Sequence, residues 1–555
     1  MNISPTVPAI YYHSNKRRLT GSGLLRMCFT VTVLIASLTG CTTIPSDKSQ
    51  SGSSSVSTSN APIRSGAGLK RSALVANTLS APRPLPEIPS RPNIILIVAD
   101  DLGYGDLGSY GQEIIKTPRL DALASEGLRF KRFYAGSTVC APSRCVLMTG
   151  QHTGHCHIRG NGPHPLLPGT ETIASILQKQ GYKTAGIGKW GLGLENTTGN
   201  PLAQGFDDFF GYLHQGHAHN YYPTFLILNN QRIPLANVVP DAKSSGAGVA
   251  SEKIQYSHDL FIESALSYIN LNQNNPFFLY LPLTIPHANN EAGKEGMEVP
   301  EYGIYSDEDW PEPQKGLAAM ITRLDSDIGR IIDQLDTLGL EENTIVLFTS
   351  DNGPHREGGN DPDFFNSNGP LRGIKRDLYE GGIRVPLIAR WPGVIPAGMV
   401  TDHISGFQDI LPTLADITDS QDNTPNFIDG ISFLPTLLNR TDLQQKHSHL
   451  YWEFHEQGGK SAVLQDNWKA IYLAGKNRLE LYNLKSDPAE SKDISGGNLT
   501  KTMELRALME SSTTPSEIWG PKENTEKKSS TTNLSHDIVT HRDDLPVRSF
   551  KLIEW

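Results

Sequence analysis

The stretch Asn93-Ile94-Ile95-Leu96-Ile97-Val98-Ala99-Asp100-Asp101 decides how the rest of the chain is read. Ile94 to Val98 is an unbroken apolar run rich in β-branched residues, the pattern of a strand buried on both faces. The acidic pair comes directly after it, where open parallel α/β sheets place their sites, at the carboxyl ends of strands. A second mostly apolar run, Thr344 to Phe348, leads in the same way into Ser350-Asp351-Asn352-Gly353. Alone, Asp-Asn-Gly is a common turn. Two such groups at matched strand ends offer four hard oxygen ligands, a set suited to Ca²⁺ or Mg²⁺.

Working outward, helices are predicted over residues 117–127, 170–181 (with Thr170 as N-cap), 257–271 and 316–338, and strands over 182–187 and 276–283. Leu317, Met320, Ile321, Leu324, Ile328, Ile331 and Leu335 recur at helical spacing, which makes the last helix long and amphipathic. Strands alternating with helices predict an α/β fold: a large, mostly parallel sheet flanked by helices on both faces. From about residue 400 the pattern changes to short strands at 450–454, 468–472 and 479–482. This predicts a smaller C-terminal antiparallel sheet plus helix, so that residues 91–400 form a catalytic domain, 401–512 a subdomain and 513–555 a loose tail.

The 555 residues hold 49 basic and 59 acidic side chains. The first 90 hold nine basic residues and two acidic ones, so the remainder carries 40 against 57. That acidic body argues against a nucleic-acid partner, and five cysteines are too few for a disulfide-built scaffold. Lys16, Arg17, Arg18 and Arg26 precede an apolar stretch from Met27 to Leu38 of signal-peptide length. It ends in Leu38-Thr39-Gly40-Cys41, which resembles a lipoprotein cleavage box. Residues 1–40 are therefore expected to be a signal peptide and Cys41 the lipidated residue of an exported bacterial lipoprotein, held on a membrane by its acyl chains. Thr42 in place of Asp favours the outer membrane. Residues 41–90, rich in Ser, Thr, Pro and Gly, read as a flexible tether.

Cys140-Ala141-Pro142-Ser143-Arg144 opens an apolar segment, and a helix start lowers the pKa of a cysteine placed there. Followed by Leu147-Met148-Thr149-Gly150, this run resembles the signature of the type I, formylglycine-dependent sulfatase family, of the alkaline-phosphatase-like superfamily. Gly181 to Trp190, Arg91 to Asp106, Ser350 to Gly353 and Lys375 with Tyr379 to Pro386 extend the resemblance over roughly residues 91–500. It implies that a formylglycine-generating or anaerobic sulfatase-maturing enzyme converts Cys140 to formylglycine. One hydroxyl of the hydrated aldehyde would attack sulfur and the other would expel sulfate, splitting one hard displacement into two easier steps. It further implies Ca²⁺ on Asp100, Asp101, Asp351 and Asn352. Arg144, Lys189 and Lys375 would hold the diol and sulfate, and His287 would protonate the leaving alcohol.

The sequence departs from the family at Gly191, where many members carry His two residues after the signature lysine. His214, His217 and His219 are candidate substitutes, with His219 favoured. His219, His355 and Glu357 are the expected substrate-binding residues, with Asp361 and Asp363 nearby and Tyr221 and Tyr222 as a sugar-facing wall. The expected function is sulfate removal from a sulfated oligosaccharide, exo-acting on a galactose or N-acetylgalactosamine sulfate, with 4-O the favoured position. The alternatives are an arylsulfatase on small esters, a phosphonate or phosphodiester hydrolase of the same superfamily, and a non-catalytic glycan-binding lipoprotein.

Overall fold

The computed structural model describes residues 88–520. The expected signal peptide, the lipidated Cys41, nearly all of the tether and the tail beyond residue 520 lie outside the described residues. The strands in chain order are β1 (Asn93–Ala99), β2 (Leu128–Tyr134), β3 (Lys183–Lys189), β4 (Asp208–Tyr212), β5 (Phe225–Leu228), β6 (Gln231–Pro234), β7 (Phe277–Pro282), β8 (Thr344–Ser350), β9 (Arg384–Arg390), β10 (Met399–Thr401) and β11 (Ser405–Gly406). They form one sheet in the order β10-β2-β9-β8-β1-β7-β3-β4-β5-β6, with β11 also on β2. From β8 to β4 every neighbouring pair is parallel, whereas β9 runs against both β8 and β2.

The helices are α1 (Pro118–Glu126), α2 (Cys140–Thr149), α3 (Ile173–Lys179), α4 (Ser257–Leu271), α5 (Glu312–Thr337), α6 (Glu380–Ile383), α7 (Ile410–Ile417), α8 (Leu434–Leu437) and α9 (Leu499–Ser511). Alternate residues of β1 sort onto the two faces, as the period of a strand requires. Ile95 and Ile97 join a core with Leu120 and Leu123 of α1, Phe261 and Ile262 of α4 and the apolar stripe of α5. Ile94, Leu96 and Val98 join the opposite core with Val146 of α2, Ile173 of α3 and Leu414 of α7. Helices therefore cover both faces, as expected.

Three of the differences from the sequence reading have a clear physical reason. The N-cap of α3 is Thr172, not Thr170: its hydroxyl accepts from Ser175 N while the Ser175 hydroxyl accepts from Thr172 N, a reciprocal capping box. Helix α5 starts a turn early because Pro313 fits the first turn, where its missing N–H is no loss. The division expected near residue 400 does not coincide with a break, since β10 and β11 pair with β2 and α7 packs into the second core. The smaller antiparallel sheet follows as β12 (Leu450–Phe454), β13 (Lys460–Gln465), β14 (Trp468–Leu473) and β15 (Arg478–Asn483). One face carries Leu505 and Met509 of α9. The other, with Trp452 and Phe454, packs on Tyr134, Val139 and Ile383 of the large unit. Among the described residues, no helix is long and apolar enough to cross a membrane.

Candidate active site

Strands β1 and β8 are neighbours in register, Ala99 against Ser350, so the turns that follow them meet. Asp101 leaves β1 in a left-handed conformation (φ 66°), a strained choice for a non-glycine residue. Its amide donates to Asp351 Oδ1 at 3.2 Å, and its carboxylate accepts from Asn352 Nδ2 at 2.6 Å and Lys375 Nζ at 2.8 Å. Asp100, Asp101, Asp351 and Asn352 are all at most 1% exposed. Asn352 Oδ1 is buried with no hydrogen-bond partner among the described residues. Such an orphan is costly unless a ligand satisfies it. Three carboxylates and one free amide oxygen form an all-oxygen, hard donor set, which fits Ca²⁺.

Helix α2 starts at Cys140 and is buried along its whole length. Cys140 Sγ lies 3.4 Å from Asp100 Oδ1 and 3.4 Å from Lys189 Nζ, and Lys189 Nζ is 2.5 Å from Asp100 Oδ2. The helix start does not lower the pKa of this thiol. Burial, with the Asp100 charge beside it, pushes it well above the usual cysteine range, so the unmodified side chain is a neutral thiol and no nucleophile. Arg144, one turn on, places its guanidinium 2.7 Å from Asp351 Oδ2 and 2.6 Å from the Lys189 carbonyl. Burial works against charge on Asp100, yet Lys189, Arg144 and Lys375 hold its carboxyl well below the ordinary value.

Lys375 is the hub of the other side. Its Nζ donates to Asp101, to Glu357 Oε2 at 3.2 Å and to His287 Nε2 at 3.0 Å. His287 Nδ1 donates to the Ala288 carbonyl at 2.6 Å, leaving Nε2 as the acceptor. Burial and Lys375 drive the His287 pKa well below 6.5, while burial is overcome for Lys375 by Asp101, which raises it. The resting proton therefore sits on the lysine. His219 stacks on His287 with ring centroids 4.8 Å apart and bonds Glu291 at 3.3 Å.

The substrate-facing expectations fare unevenly. Glu357 is partly exposed and bridges Lys375 to Arg376. His355 is 1% exposed, and both ring nitrogens are engaged, one accepting from Glu357 N and the other reaching the Pro286 carbonyl. It supports the loop and offers no free edge to a substrate. Tyr221 and Tyr222 are core residues, not a sugar-facing wall. The Tyr221 hydroxyl donates to the His287 carbonyl and to Thr284 O, so it positions His287. Asp361 and Asp363 pair with exposed Arg356. His217 packs between Tyr212 and Phe225, away from the charges. The space a side chain at Gly191 would enter is filled by Gln215, whose Nε2 lies 2.1 Å from an ideal Cβ and is buried without a partner among the described residues. No local pattern around Gln215 marks it in the sequence, because only the fold brings it to Gly191. Cys145 and Cys156 are free, buried thiols.

The model of the sulfatase family matches residues 92–420, and that of the N-sulphoglucosamine sulphohydrolase C-terminal region matches 374–514. N-acetylgalactosamine-6-sulfatase of Rattus norvegicus is 32% identical over 434 residues, covering 74% of this chain and 76% of the relative. Arylsulfatase A of Homo sapiens is 32% identical over 467 residues, covering 75% and 86%. A crystal structure of Ps i-CgsB in complex with k-i-k-neocarrahexaose superposes with a TM-score of 0.64 at 27% identity, covering 76% of this chain and 93% of that one.

Proposed function

Because this chain belongs to the sulfatase family, in the alkaline-phosphatase-like superfamily, and is a sulfuric ester hydrolase, we propose that it removes sulfate from a sulfated carbohydrate. The favoured unit is a terminal galactose or N-acetylgalactosamine sulfate, with O4 the position the sequence favours. The observation that carries this reading is Cys140 Sγ, which marks the place of the reacting oxygen, set 3.4 Å from both Lys189 Nζ and Asp100 Oδ1. The partly exposed rim of His219, Glu291, Glu357 and Arg376 supports a hydroxyl-rich substrate. So do the relative named for an amino-sugar sulfatase and the neighbour solved with a carrageenan oligosaccharide.

Calcium held by Asp100, Asp101, Asp351 and Asn352 would act as a Lewis acid that polarises the sulfate oxygens. Formylglycine derived from Cys140 would supply, as its hydrate, the nucleophile. The remaining work belongs to the chain. Lys189 and Arg144 are fully buried cations that need no reorganisation to meet developing negative charge. Lys375 and His287 share a proton between Nζ and Nε2, 3.0 Å apart, and this pair delivers it to the leaving sugar oxygen, a poor leaving group without it. Glu357 and Arg376 orient the sugar beside this pair. Export and lipidation at Cys41 belong to the same proposal, since an anchored enzyme faces imported glycan fragments; fatty-acid labelling lost in Cys41→Ala tests that part.

Sulfate release is measured from 4-O- and 6-O-sulfated galactose and N-acetylgalactosamine saccharides, with protein co-expressed with a maturase. Release from at least one, absent in Cys140→Ala, is expected, with an aldehyde in the Cys140 peptide by mass spectrometry. Turnover of phosphodiesters or small aryl esters alone would overturn the carbohydrate reading.

A further inference from the structure

Residues 513–520, which the sequence assigns to a loose tail, are held against the loop that follows α2. Arg159, buried, donates to the Thr514 carbonyl at 2.9 Å, to Thr514 Oγ1 at 3.0 Å and to Glu453 Oε1 at 3.0 Å. Thr514 N donates to Gly154 O at 3.0 Å. At the end of this segment Trp519 Nε1 donates to the His157 carbonyl at 2.8 Å. The indole is seated over Gly160, where an added Cβ would come within 2.7 Å of Trp519 Cζ3. His164 meets the ring edge-on at 5.2 Å, and His455 lies nearly parallel at 5.8 Å.

This seat adjoins the reacting residue. Asn161, next to Gly160, accepts through Oδ1 from Ala141 N at 3.1 Å, and Ala141 follows Cys140. Asn161 N donates to Glu456 Oε1 at 3.4 Å. Asn161 is exposed, and Trp519 and Glu456 are partly exposed. The nearby cations are already engaged: Arg159 as described, Arg376 by Glu357, and Lys460 by the Arg376 carbonyl and Asp377. Among the described residues the rim therefore offers an aromatic plane, an amide and a carboxylate, but no free positive charge. That combination suits the apolar face and hydroxyls of a neutral sugar, and not a second sulfate.

We propose that Trp519, Asn161 and Glu456 form a subsite for the unsulfated sugar next to the one that carries the sulfate. The proposal rests on the sulfated-carbohydrate reading above and names what lies on the leaving-group side of that site.

The test compares kcat/KM for a sulfated oligosaccharide with that for the corresponding sulfated monosaccharide, in mature wild type, Trp519→Ala and Trp519→Phe. The ratio of oligosaccharide to monosaccharide is expected to fall at least tenfold in Trp519→Ala, mostly through KM. In Trp519→Phe, which keeps an aromatic plane over Gly160 and stands in should the alanine variant not fold, it falls by a smaller factor. An equal loss on both substrates means a structural role, and an unchanged ratio means no contact; either overturns the subsite alone. Wild type that hydrolyses aryl sulfates but no sulfated saccharide overturns the carbohydrate reading and the subsite with it.

Discussion

Gly191 carries a φ of +79°, and a Cβ there would meet the Gln215 amide. Gly191→His is thus expected to cost about 1–3 kcal/mol from backbone strain alone, with a further loss from the clash. Thermal unfolding of Gly191→His against Gly191→His/Gln215→Ala separates the two, because only the clash is relieved in the double variant. A second prediction concerns Asp106. Burial pushes its carboxyl up to about 7, against the hydrogen bond it accepts from Gly103 N at 2.7 Å. The folded state therefore holds this proton more tightly than the unfolded chain does. Its contribution to stability is full below the unfolded value of 3.8, falls as pH rises through about 7, and is flat above. Asp106→Asn should remove that slope, a difference of a few kcal/mol at about 1.4 kcal/mol per unit, read as urea midpoints across pH. The gathering of Cys140, Lys189 and Lys375 around Asp100 and Asp101, each carried by its own motif, was legible in the sequence. Tyr221 and Gln215 were not, since a hydroxyl that holds a backbone carbonyl looks like any core tyrosine and an amide in the turn after the neighbouring strand looks like any surface glutamine.

The segment from Arg372 to Arg384, which carries Lys375, is pinned by the smaller sheet. Lys460 bonds the Arg376 carbonyl, Tyr379 bonds Glu480, and Arg372 bonds Tyr482 and the Glu490 carbonyl. At its centre fully buried Lys469 lies 2.9 Å from Glu380 and 3.0 Å from Glu490. Lys469→Met leaves two carboxylates buried together without the cation they share, although Glu380 keeps Tyr134 and Arg384 and Glu490 keeps the Glu380 amide, and breaking such a group costs roughly 3–5 kcal/mol. Chemical denaturation is expected to show that loss, kcat to drop because the Lys375 loop loosens, and Glu380→Gln/Lys469→Met/Glu490→Gln to recover much of the stability. Elements with a single strong period, β1, β7, β8, α4 and α5, could be read from sequence. Strand β2 could not: Arg129, Lys131 and Arg132 interrupt it, and pairing with β9 rather than composition makes it a strand. Strand β13 is short and half polar, and only its place between β12 and β14 defines it.

Across the whole molecule, the proposed calcium ligands are separated by some 250 residues, as the bond from Asp101 N to Asp351 shows. A cation at that point ties the two strands at the centre of the large sheet, so its removal must be felt globally. Chelation is expected to lower the Tm and abolish activity, both restored by Ca²⁺; free metal at 100 times Kd adds about 2.7 kcal/mol. An unchanged Tm on chelation would remove calcium from the account.

The burial of Cys140 also imposes a chronology. At 3% exposure, inside a helix with no exposed residue, the thiol is sealed from any enzyme-sized visitor once the sheet has closed. The proposed conversion to the aldehyde then has a deadline, set by folding itself. A maturase offered the finished protein is expected to leave the thiol intact, whereas one present during synthesis, or given the denatured chain, converts it. Mass spectrometry of the Cys140 peptide reads which came first. A chain that folds too fast would be a perfectly shaped but permanently silent enzyme.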